Sequence, residues 1–122
     1  MRNIVLAIAG TAAVFSLAAC DPTEKNDYGC TVQFEGQNAC TQLHITEVEG
    51  NVAEVYCEDE LEGTWAYRAC TSEERTPGYC QVDDAGDYLP SGTPAKVFFY
   101  GIDETVAETA CNDGGGAWHG GN

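Results

Sequence analysis

Positive charge is scarce in this chain: 5 lysines and arginines stand against 20 aspartates and glutamates, for a net charge of −15 over 122 residues. A phosphate backbone is recognised through a basic footprint, so nucleic-acid binding is excluded. Histidine is limited to His44 and His119, and serine beyond residue 20 to Ser72 and Ser91. No spacing among them suggests the nucleophile, base and orienting group of a hydrolase. No two cysteines show the C-x-x-C spacing of a zinc site or a thioredoxin-like redox centre. The apolar run Ile4–Leu17 falls short of the roughly 20 residues that a membrane span needs. The length suits one domain and leaves no room for a second sizeable core. The chain is therefore expected to be non-enzymatic and to need no cofactor or metal.

What is present at the start reads as an address. Arg2 gives a short positive segment, Ile4–Leu17 an apolar one, and Leu17-Ala18-Ala19-Cys20 follows. This arrangement resembles the signal peptide and lipobox of bacterial lipoproteins. The resemblance implies cleavage after residue 19, a diacylglyceryl group on the Cys20 sulfur and an acylated Cys20 amine. Two or more acyl chains hold a protein stably to a membrane, which would be the first partner. Cleavage by the ordinary signal peptidase, leaving Cys20 free or discarding it, is the alternative. Asp21 resembles the inner-membrane retention signal of enteric lipoproteins, but the choice of membrane, and of a periplasmic or an extracellular side, stays open.

Losing Arg2 and no acid makes the mature chain one unit more negative. Residues 20–28 read as the lipidated N-terminus and a polar tether, and 29–122 as one cysteine-rich domain. Of seven cysteines, Cys20 goes to lipid, and the even six that remain suit three disulfides in an oxidising compartment.

The domain repeats itself. VAEVYCEDELEGTW, from Val52 to Trp65, matches VAETACNDGGGAW, from Val106 to Trp118, with one residue deleted, and Cys30-Thr31-Val32 parallels Cys80-Gln81-Val82. The pseudo-repeats span 29–70 and 78–118. In each, two β-like segments precede a short helix: Thr31–Glu35 and Cys40–Thr46 in the first, Cys80–Asp83 and Lys96–Tyr100 in the second. Asn51 and Thr105 are expected N-caps, with Glu54 and Glu108 completing capping boxes. Val52, Ala53, Tyr56 and Cys57 are expected to share one buried helix face, as are Val106, Ala107, Ala110 and Cys111. Thr64–Ala69 is expected as a further short strand. The resulting fold class is α+β: a disulfide-stapled domain of two β-β-α units, with both helices packed on an antiparallel sheet. Symmetry favours the pairs Cys30–Cys57 and Cys80–Cys111, leaving Cys40–Cys70. This doubled pattern resembles small cysteine-rich bacterial lipoproteins, a resemblance that supports the fold and lends no chemistry.

Seven carboxylates and no base fall between Glu47 and Glu62. Glu58, Asp59, Glu60 and Glu62 crowd the end of the first helix, where the macrodipole disfavours negative charge. A cation such as calcium or a basic protein partner would supply the missing charge. Asp83, Asp84 and Asp87 lack the spacing of an EF-hand loop and suit a hairpin turn. Trp65, Trp118, Phe98, Phe99, Tyr100 and Tyr56 are expected in the core. These features imply a lipid-anchored envelope protein with a structural or partner-binding role. The alternative is an acidic inhibitor or sequestering protein for a cationic envelope enzyme such as a lysozyme-like hydrolase, and the third option is a calcium-binding envelope module.

Overall fold

A computed structural model of the chain describes residues 23–34 and 36–121. Strand β1 (Lys25–Phe34) turns at Gly36, whose φ of 78° suits glycine, into β2 (Gln37–Thr46). The two pair antiparallel over ten residues, from Lys25 opposite Thr46 to Phe34 opposite Gln37. Helix α1 (Glu47–Val55) follows at once and runs into a π-helical turn, Tyr56–Glu60. Strand β3 (Thr64–Ala66) then returns along β1. The second half repeats this course with β4 (Tyr79–Val82), β5 (Ala95–Tyr100), helix α2 (Glu104–Asp113) and β6 (Ala117–His119).

The six strands form one antiparallel sheet in the order β3-β1-β2-β5-β4-β6, which reads the same way from either end. Cys30 lies opposite Trp65 on one side and Thr41 on the other, and Cys80 lies opposite Trp118 and Val97. Thr41 and Val97 in turn face each other across β2 and β5, so a local two-fold passes between them. The duplication is thus a β-β-α-β unit, one strand longer than the sequence suggests, because β6 is short and rich in glycine at its approach.

Side chains alternate across a strand, so Cys30, Thr41, Leu43, Cys80, Val97 and Phe99 share one face of the sheet. Both helices lie on that face. Gly50, Ala53 and Cys57 of the first half and Ala107 and Cys111 of the second are buried. The disulfides Cys30–Cys57 and Cys80–Cys111 pin each helix to the first strand of its own unit, as the repeat predicts. Cys40–Cys70 is the third bond, on the opposite face. There the connection 67–78 runs as a strap: Cys70 N–H donates to the Gln42 side chain at 2.9 Å, and the Arg75 guanidinium sits 4.2 Å from the Phe98 ring centre.

Four expectations need correction. The segment expected as a tether through Tyr28 enters β1 at Lys25, and Tyr28 is buried, stacked on Trp65 at 5.4 Å. Helix α1 starts at Thr46 rather than Asn51, because Thr46 accepts from Glu49 N–H while the Glu49 carboxylate accepts from Thr46 N–H. Asp103, not Thr105, caps α2, accepting from Thr105 N–H at 3.0 Å. Val52 and Val106 are exposed and not part of the buried faces, and neither Tyr56 nor Ala110 is buried.

The single-residue deletion between the repeats has a physical form. Gly63 N–H reaches back to Cys57 O, and Gly116 N–H to Cys111 O, one residue nearer. The extra residue of the first unit is absorbed by the π turn, whose closing bond runs from Leu61 N–H to Tyr56 O.

Candidate functional site

Leader, lipobox and Cys20 lie outside the described residues. Among the described residues, no helix is long and apolar enough to cross a membrane.

The histidines and serines do not assemble. His44, on β2, places Nδ1 2.9 Å from the Asp27 carboxylate, and both side chains are exposed. His119, on β6, stacks on Tyr79 at 4.9 Å. Ser72 belongs to the strap and Ser91 to the loop between β4 and β5. The six cysteines beyond Cys20 are all in disulfides, so none of them is a thiolate.

Glu58, Asp59, Glu60 and Glu62 stand exposed around the π turn. Among the described residues, no three His, Cys, Asp or Glu side chains come together to hold a metal ion. Asp84 spends its carboxylate on the turn, accepting from Gly86 N–H at 3.1 Å. Asp83 and Asp87 flank that turn and are exposed. Glu54 accepts from the Tyr67 hydroxyl at 2.7 Å, and this bond is the first cause that holds the phenol above its ordinary pKa of 10.0.

The described basic residues keep to one side of the sheet, which they share with Asp27 and the strap's Glu73 and Glu74. By strand alternation Lys25 and Lys96 project from the face opposite the helices, and Arg68 and Arg75 belong to the strap that crosses it. Among the described residues none of these four forms an ion pair with a carboxylate. The helix layer carries Glu47, Glu49, Glu54, the π-turn acids, Glu104, Glu108 and Asp113, with no base to offset them. Neither helix has a basic residue in its last turn.

Within this acidic layer lies an apolar groove of about 460 Å³, lined by Asn51, Val52, Val55, Tyr56, Glu60 and Tyr88. Tyr56 and Tyr88 stack face to face at 4.0 Å, and burial first, then Tyr56, pushes the Tyr88 phenol above 10.0. Tyr88 comes from the long β4–β5 loop, which the first unit lacks and whose Leu89 is buried in the first unit's core. Sequence reading places Tyr56 in the core and says nothing of Tyr88. The available signal was the spacing of Val48, Val52 and Val55, a second apolar stripe beside that of Ala53 and Cys57.

Comparison with known protein families, curated proteins and solved structures finds no match to this chain.

Proposed function

We propose that this protein is a lipid-anchored, non-enzymatic partner-binding module of a bacterial envelope, and that its partner is cationic. The observation that carries the reading is the separation of charge: the helix layer is acidic throughout, and the described lysines and arginines lie on the other side of the sheet. An uncompensated field of one sign steers an oppositely charged partner and speeds encounter. Three disulfides hold the surface in one geometry, which lowers the ordering cost of binding. The anchor rests on the lipobox resemblance at Cys20. Replacing Cys20→Ala is expected to remove labelled palmitate from the protein and release it from the membrane fraction.

Inhibition or sequestration of a cationic envelope enzyme, such as a lysozyme-like hydrolase, is the second reading, favoured by the lack of any described base in the helix layer. Both are tested by capturing envelope proteins on the immobilised protein across a salt series. A basic partner that elutes as salt rises supports the cationic reading, since screening weakens exposed charge pairs. A partner held equally at low and high salt contradicts it. Added lysozyme separates the two: lost hydrolytic activity supports inhibition, and unchanged activity leaves plain binding.

A further inference from the structure

We propose that the groove on the outer side of α1 receives a basic amphipathic segment of that partner, seating apolar side chains against Val52, Val55, Tyr56 and Tyr88. The inference rests on the cationic-partner reading and specifies its contact. Val52 and Val55, which line the groove, are 47% and 58% exposed, and Val48, one turn earlier on the same helix, is 67% exposed, a stripe of large apolar side chains that the fold itself leaves uncovered. Such a stripe, rimmed by polar groups, marks an interaction surface.

The duplication supplies an internal control. In α2 the matching positions are Val106, Thr109 and Ala110, and no stacked tyrosine pair covers them. The second unit therefore keeps the same fold without such a groove. The groove is built largely from features that break the repeat: the π turn, the long loop with Tyr88, and Val55 and Tyr56 where α2 has Thr109 and Ala110.

Charge selects the occupant. Glu60 lines the groove, Glu58 and Asp59 share its π turn, and Asp87 precedes Tyr88 on the facing loop. A second copy offering the same face would set these carboxylates against their own kind. An anionic lipid surface would be repelled in the same way. A segment with apolar residues at helical spacing between lysines or arginines satisfies both the apolar floor and the acidic rim.

The test uses a fluorescent peptide of leucines and lysines with leucines spaced i, i+4, i+7, and a scrambled peptide of the same composition. The purified full-length protein is expected to bind the first about tenfold tighter, the gain from seating two or three apolar side chains. The surface variant V52S/V55S is expected to lose that advantage while binding the scrambled peptide as before, and V106S to behave as wild type. Equal binding of both peptides with no effect of V52S/V55S overturns the groove and leaves the cationic reading standing. Failure of both peptides to bind at low salt removes the groove and the cationic reading together. A dimer that V52S/V55S dissociates, or vesicle binding that it abolishes, also overturns the proposal by naming another occupant.

Discussion

Thr41 and Val97 oppose each other at the middle of the sheet, and each lies beside the cysteine that anchors its own helix, Cys30 and Cys80. A half-turn about that pair exchanges the two units, including their disulfides and the tryptophans beyond them. The symmetry makes each unit a control for the other.

Gly63 and Gly116 are the first such pair. A Cβ on Gly63 would lie 2.8 Å from Thr31 O and 3.1 Å from Cys57 Sγ; one on Gly116 would collide with Cys80 Sγ and lie 3.0 Å from Cys111 Sγ. Gly63→Ala and Gly116→Ala are each expected to destabilise by about 1–3 kcal/mol through forced repacking, Gly116→Ala more, measured by urea unfolding.

The next pair is Glu62 and Gly115, equivalent residues with φ of 56° and 89°. Only glycine adopts this left-handed region without cost. Glu62→Gly is expected to stabilise by about 0.5–1 kcal/mol, and Gly115→Ala to destabilise by about 1 kcal/mol, read from thermal or urea midpoints.

Cys40–Cys70 has no counterpart and joins the strap to β2. Replacing both with alanine is expected to cost about 3 kcal/mol in the chain-entropy account. Hydrogen exchange should quicken at Thr76 N–H, which bonds Phe99 O, and at the strap around Thr71, which accepts from the Tyr100 hydroxyl. Amides of α1 and α2 should be unchanged.

Alkaline pH tests the tyrosine stack. With its phenol raised above 10.0 by burial and by Tyr56, Tyr88 favours the neutral form in the folded state. That contribution is complete below about pH 10 and is lost as pH rises through the higher folded value. Stability should fall above pH 10, and Tyr88→Phe should flatten the decline. Tyr100, raised mainly by burial, adds to the same window.

The disulfide pairing was legible because the repeat reduces the possible pairings to those that respect its symmetry. The start of α1 was not, since Thr46-x-x-Glu49 and Asn51-x-x-Glu54 both satisfy the local capping pattern. Tertiary packing decides between them: Gly50 lies buried where a Cβ would press on the Tyr28 ring at 3.0 Å, so a residue that reads as a helix breaker is a packing contact. Acidity was legible, but not the absence of bases from the helix layer, which follows from strand alternation and from the strap. Only the α1 side of the groove was legible, as the stripe of Val48, Val52 and Val55, because Tyr88 reaches Tyr56 from the other unit.

Amide-by-amide NMR of the isotope-labelled protein, titrated with the leucine–lysine peptide, tests the central claim most directly. Shifts confined to α1, the π turn and the loop around Tyr88 are the predicted result. Shifts centred on the open sheet face around His44 and Lys96, or spread evenly over both units, would contradict it.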